Sequence, residues 1–309
     1  MADVDLTFPL VPRVRLLGLP FGTFHSKRRG IGSDVAGTRQ YVPGDDAGAI
    51  DWRASARLSS ARDSDEFIVR DRFADEAPRV VVLCDRRPAM ALYPPGFPWL
   101  RKAEAMRVVV TMIAASAALA RSPFGYLDLA EDEPFWNPPT SEPELALVAA
   151  EYGGRPFSAT RDNVQRGLEF LRLARVSMPP GSFVFVCSDY LVECPPDPWL
   201  AAVDQGWEVV PVVVQDPTWE QSFPDVSGVT LPVVEAESGS LATMRLRRSQ
   251  ATHLRLEHER RLRTRQDELA ALGAEPVVVG TTEPGTIWET FMAWADRRTE
   301  LLHTWQLSA

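Results

Sequence analysis

Two short stretches of the chain contain only apolar residues and run into an aspartate: Val80–Cys84 before Asp85, and Phe183–Cys187 before Ser188-Asp189. A strand wetted on one face alternates polar and apolar side chains. An uninterrupted apolar run requires cover on both faces, as inside a parallel sheet. Further strand patterns at Phe124–Ala130, Glu208–Val214, Val229–Val234 and Pro276–Val279 alternate with helical patterns. The helices are read at Pro98–Arg121, Glu142–Glu151, Asp162–Val176, Asp197–Gln205, Met244–Leu272 and Thr286–Arg298. Repeated strand–helix alternation implies an α/β fold: a doubly wound, mainly parallel sheet with helices on both faces. Sites in such sheets form outside the carboxyl ends of the strands, where the winding reverses. If the two apolar strands are neighbours there, Asp85 and Asp189 converge.

Two carboxylates with added hydroxyls suit a hard divalent cation such as Mg²⁺. The residues after Asp85 are Arg86, Arg87, Pro88 and Ala89, which supply no hydroxyl. A guanidinium there neutralises Asp85 and takes the cation's place, so no cofactor is expected. The plainer alternative is that each aspartate caps the loop or helix that follows it.

Other chemistries find less support. The net charge of −9 opposes association with nucleic acid or an anionic membrane surface. The longest apolar run, Val108–Ala120, has 13 residues, against the roughly 20 a spanning helix needs. With no secretory leader pattern, a cytoplasmic location without membrane insertion is expected. Cys84, Cys187 and Cys194 have no metal-ligand spacing, and two of them lie in apolar strands, which reads as reduced, buried thiols. None of the histidines, His25, His253, His258 and His303, neighbours a strand-end nucleophile. His253 and His258 are five apart and read as solvated residues of a charged helix, since an i, i+4 zinc pair has different spacing. There is neither a G-x-S-x-G nor a G-x-x-x-x-G-K-[ST] motif. The basic cluster Lys27-Arg28-Arg29 reads as an exposed turn facing an acidic partner.

Ahead of the α/β region, residues 21–77 read as an antiparallel strand layer, with strands at Val35–Val42 and Glu66–Phe73. It contains Gly30–Arg57, the densest concentration of turn-forming and charged residues in the chain. Pro43-Gly44 sets a type II turn over Val42–Asp45, and Asp45 or Asp46 caps a helical turn over Ala47–Ile50. Arg39, Arg53 and Arg57 are close enough in sequence to pair with Asp45, Asp46 and Asp51, while Ile50 and Trp52 pack inward. With Tyr41, these residues form either a structural signature or a partner surface.

The run G-x-G-x-D-x-x-G-T-R-x-Y-x-P-G-D-D-x-x-x-I-D-W-R-x-S-A-R, then E-F-I-V-R-D-R-F and an apolar strand ending in Asp, resembles the DUF58 family. The resemblance implies a β-rich segment (1–77) carrying the signature, a von Willebrand factor A-like domain (78–300) and a short tail (301–309). It implies a non-enzymatic adaptor that acts with a MoxR-type AAA+ ATPase and its client proteins. Many relatives begin with two membrane helices, and this chain resembles the short soluble form. The A-domain metal pattern D-x-S-x-S would place Asp85 first, Thr160 on a second loop and Asp189 on a third. Arg87 and Ala89 stand where both serines would be, which implies a degenerate site. The alternatives are a metal-dependent ligand-binding A-domain and a hydrolase using Cys187 or the aspartate pair.

Overall fold

The computed structural model describes residues 6–12, 25–29, 35–41, 50–62, 67–75, 78–92, 99–141, 155–174, 178–193, 195–234 and 241–308. The chain divides into two compact units, residues 14–78 and residues 1–13 with 79–309.

In the smaller unit, β1 (His25–Arg29) and β2 (Val35–Gln40) flank β3 (Ile68–Asp75), both antiparallel to it. This is the expected antiparallel layer. Between β2 and β3 lies α1 (Trp52–Arg62), a helix that the sequence reading did not anticipate. Its residues lack a clear apolar stripe, so local hydrogen bonds hold it. Asp51 is the N-cap, its Oδ1 accepting from the Ala54 N–H at 3.1 Å. The buried Ser55 hydroxyl donates to the Asp51 carbonyl and accepts from the Ile68 N–H, both at 2.8 Å. The Asp51 N–H donates back to the Ile68 carbonyl, also at 2.8 Å. One serine thus fastens helix to strand. Ser55→Ala leaves the Ile68 N–H unpaired and is expected to cost about 1–3 kcal/mol. Amide hydrogen exchange at Ile68 should then accelerate, and unchanged exchange would count against this role.

The larger unit is built on a six-stranded sheet. Its strands are β4 (Val80–Cys84), β5 (Phe124–Asp128), β6 (Phe135–Thr140), β7 (Phe183–Ser188), β8 (Glu208–Val214) and β11 (Val277–Val279). The order is β11-β8-β7-β4-β5-β6, parallel except for β6. β4 pairs with β7 in register, Cys84 opposite Cys187, so the winding reverses between them and the condition for Asp85 and Asp189 to converge is met. β6 was not anticipated because it contains Pro138-Pro139. An edge strand tolerates proline, since only one side of it needs donors.

Alternate residues of the central strands face two different helical layers. Val81, Leu83, Val184 and Val186 join α3 (Asn163–Leu173) and α4 (Pro196–Asp204) through Val164, Leu168, Leu171 and Trp199. Gly167 lets α3 come close, because a Cβ there would stand 2.5 Å from Leu83 Cδ1. On the other face, Phe185 meets Phe291 and Trp294 of α6 (Pro284–Ser308), beside α2 (Lys102–Leu119).

Residues 6–12 belong to this unit rather than to the N-terminal layer in which residues 1–77 were grouped. Phe8 stacks on Phe291 at 4.5 Å, its N–H donates to Ser116 Oγ, and Trp288 Nε1 donates to the Thr7 carbonyl. An apolar arm with Phe8, Leu10 and Val11 buried is core, not linker. The expected tail at 301–309 is also corrected, because α6 runs through to Ser308.

The hairpin of β9 (Thr230–Val234) and β10 (Leu241–Arg245) leads into α5 (Arg248–Ala271). Met244, expected to start that helix, is a strand residue. The helix expected at Glu142–Glu151 lies outside the described residues. Among the described residues, no helix is long and apolar enough to cross a membrane.

Candidate functional site at the strand ends

β4 and β7 end side by side and deliver Asp85 and Asp189, both fully buried. Arg87 bridges them. Its Nη2 donates to Asp85 Oδ2 at 2.5 Å and to Asp189 Oδ1 at 2.6 Å, and its Nε donates to Asp85 Oδ2 at 2.9 Å. Asp85 also accepts from Ser188 Oγ at 2.6 Å, from Asn163 Nδ2 at 3.0 Å and from the Arg87 N–H at 2.9 Å. The other oxygen of Asp189 accepts from Lys102 Nζ at 2.9 Å, and Lys102 donates again to Glu220 Oε1 at 2.7 Å. The site is therefore a chain of alternating charge: Asp85, Arg87, Asp189, Lys102, Glu220. Gln215 Nε2 fixes the Asp189 carbonyl, and the Asp216 N–H fixes Glu220 Oε2.

Burial alone would discharge Arg87, Lys102, Asp189 and Glu220, and for the first three the partners decide otherwise. Burial opposes the charge on Arg87, but Asp85 and then Asp189 outweigh it and hold its pKa above the ordinary arginine value. Lys102 is likewise held above the ordinary lysine value by Asp189 and Glu220, against burial. For Asp189, burial is overcome by Lys102 and Arg87, which bring it down to about 2. Glu220 goes the other way: burial raises it, Lys102 offsets part of that rise, and Asp189 adds to it.

The signs set a pH dependence. Asp189 has a depressed folded pKa, so its stabilisation is complete above pH ~4, the unfolded value, and is lost as pH falls towards about 2. The loss amounts to about 2 kcal/mol. Glu220 has a raised folded pKa, so its contribution is present below the ordinary glutamate value and fades as pH rises through the folded value. Urea midpoints of the wild type between pH 5 and pH 2 should fall along the Asp189 limb, and Asp189→Asn should flatten it.

Of the metal set expected from the sequence, Asp85 and Asp189 meet, and Thr160 does not join them. Thr160 is exposed, and its hydroxyl lies 2.7 Å from both Asp132 Oδ1 and Asp162 Oδ1. The hydrogen bond from Thr160 is the main cause of a lowered Asp132 pKa. The residue that reaches Asp85 from that loop is Asn163, three positions on and buried. The residues do not fit a divalent cation: the acid oxygens are taken by Arg87 and Lys102, and Asn163 presents its N–H₂. Among the described residues, no group of three or more His, Cys, Asp and Glu side chains is placed to hold a metal.

Lys102 and Glu220 were not foreseen, although they complete the site. The loop carrying Glu220 is gripped by α5. Arg261, His258 and Arg255 bond the carbonyls of Glu220, Ser222 and Phe223 at 3.1, 3.0 and 2.9 Å. His258, expected in solvent, is half-buried there, and burial with the nearby Arg261 lowers its pKa. His253 is exposed as expected. Cys84 and Cys187 are free and buried. The hydrogen bond with Cys84, and then burial, push the Cys187 thiol well up, so it is a poor nucleophile.

The signature residues lie in the smaller unit. Asp51 caps α1, whereas Asp45 and Asp46 lie outside the described residues, as do the turn at Val42–Asp45 and Cys194. Arg39 sits in β2 opposite Val69. Arg53 and Arg57 are exposed on α1, with no ion pair to a described acid. Trp52, expected to pack inward, is 63% exposed, its ring 5.8 Å from that of Phe67. Tyr41 meets Phe67 at 6.4 Å, and its N–H donates to the Phe67 carbonyl.

Several solved structures resemble the chain. BatB from Bacteroides thetaiotaomicron is 16% identical, with 71% of this chain and 99% of that one covered at a TM-score of 0.43. An aerotolerance-related membrane protein from Bacteroides fragilis is 12% identical, with 69% and 98% covered at 0.41. The VWA domain of SpRpn10 is 11% identical, with 45% and 76% covered at 0.34. No curated protein matches the chain. The family model for DUF58, described as a protein of unknown function, matches residues 37–268, a span holding both the signature from Gly37 onward and the buried strand-end charges. The chain belongs to the DUF58 family.

Proposed function

We propose that this protein is a non-catalytic, cytoplasmic interaction protein that works with a MoxR-type AAA+ ATPase on its client proteins, in assembly or maturation of a complex. The observation that carries the reading is the exposed aromatic cluster of the smaller unit. Trp52, Phe67 and Tyr41 are 63%, 42% and 36% exposed and touch edge to face. Grouped exposed aromatics mark interaction sites, and Trp, Tyr and Arg are the residues that dominate binding energy. Arg53 and Arg57 on the same helix add selectivity for an acidic partner. The strand-end chemistry supports the reading too, since its acids are held in charge pairs and Cys187 is kept as a thiol. The choice of ATPase follows the family resemblance.

Affinity capture of the full chain with the MoxR-type ATPase of the same organism, with and without nucleotide, tests the proposal. Co-purification is expected, and it should be lost on Trp52→Ala with Arg57→Ala while the urea midpoint holds. No complex at micromolar concentrations would overturn the pairing.

A further inference from the structure

The two-stranded sheet of β9 and β10 leaves β10 without a second neighbouring strand among the described residues. The Leu246 N–H donates to the Val229 carbonyl at 3.0 Å, and this bond sets the phase of the ladder. Leu241, Thr243 and Arg245 then occupy the non-hydrogen-bonded positions, their N–H and C=O groups directed away from β9. The free edge of β9 is blunted, because Pro232, opposite Thr243, has no N–H to offer. β10 contains no proline, and its register with β9 is unbroken, so no bulge turns its edge aside. Thr243 and Arg245 are exposed on that strand, and Arg247 and Arg248 follow, also exposed. None of the three arginines has an ion pair to a described acid. In a chain of net charge −9 they form a local cationic patch at the end of an open strand edge.

We infer that β10 accepts an extended acidic segment of a protein partner as an added antiparallel strand, with its acids beside Arg245, Arg247 and Arg248. Main-chain bonds to Thr243 and Arg245 hold such a strand, and the side chains along it set the choice of partner. Antiparallel addition puts one partner residue directly opposite Arg245, on the same face. The partner residues that precede it reach Arg247 and Arg248, since the two strands run in opposite senses. The motif is therefore acidic in its N-terminal half and β-branched after it. Basic segments are repelled at the same end, and the β10 strand of a second copy contains no acid to offer. The inference rests neither on the ATPase pairing nor on the aromatic cluster, so each can fail alone.

The test uses the ¹⁵N-labelled full chain and the peptide acetyl-Asp-Glu-Glu-Val-Thr-Val-Thr-amide. In the free protein the Thr243 and Arg245 amides should exchange with solvent faster than those of Met244 and Leu246. The peptide is expected to bind saturably and to protect Thr243 and Arg245. A version with Asn and Gln in place of the acids should bind about tenfold more weakly, as should the acidic peptide to Arg245→Glu. Methylating one alternate set of peptide nitrogens should abolish binding, and methylating the other set should not. Thr243→Pro removes an outward donor at a position where the opposite strand already holds a proline, and should abolish binding with the urea midpoint unchanged. No saturation up to about 1 mM, equal binding of the neutral peptide, indifference to both methylation patterns, tighter binding of single-stranded DNA, or a dimer that Thr243→Pro dissolves would each overturn the inference.

Discussion

Arg87→Ala is expected to lower the stability of the larger unit by about 3–5 kcal/mol, the range for breaking a buried ion pair by removing one partner. The reason is what stays behind. Asp85 and Asp189 are fully buried and meet at this one guanidinium, which bridges both, Lys102 supplying a second cation to Asp189. Without it, Asp85 keeps the hydrogen bonds from Ser188 and Asn163 but loses its cation, and Asp189 keeps Lys102 and the Leu191 N–H but loses one of its two cations. Urea denaturation at pH 7 measures the effect. Adding Asp189→Asn to Arg87→Ala should restore part of the loss, because it removes one of the stranded charges. A change below about 1 kcal/mol would put the pair among surface-like ion pairs and refute its structural role.

Lys102→Met is the second large effect, again about 3–5 kcal/mol near neutral pH. Its Nζ is the shared donor to Asp189 and Glu220, and its stem enters the interior with α2. This variant carries a pH signature that a packing defect lacks. Burial already raises the Glu220 pKa, and removing Lys102 raises it further. A group with a raised folded pKa favours the fold below its unfolded pKa and loses that contribution as pH rises. The penalty of Lys102→Met should therefore shrink as pH falls from 7 towards 5. A penalty constant over that range would assign the loss to packing alone.

Much of the site was legible in the sequence because its determinants are local. The uninterrupted runs before Asp85 and Asp189 required strands covered on both faces, while their adjacency was a condition that only the fold could meet. A guanidinium of the Arg86-Arg87 pair was read as neutralising Asp85; Arg87 takes that role and reaches Asp189 as well, while Arg86 turns to Asp128. What stayed hidden depends on distant residues. Lys102 opens a helix, where a lysine ordinarily faces water, and only the fold brings Glu220 to it. Thr160 was favoured for its hydroxyl, yet Asn163 is the residue turned inwards, because the helix begins between them. The helix α1 left no apolar periodicity to read, being fixed by Asp51 and Ser55. β6 was concealed by two prolines that only an edge strand accepts.

The bridge made by Arg87 has a further consequence. A dissociable ion occupies a site to a degree set by its concentration, so a site that depends on one is sensitive to supply, chelators and competing ions. The guanidinium is attached to the same backbone as Asp85, two residues away, and its occupancy follows from folding alone. The strand-end geometry of this protein is thus fixed when the chain folds, and it does not vary with the supply of a metal ion.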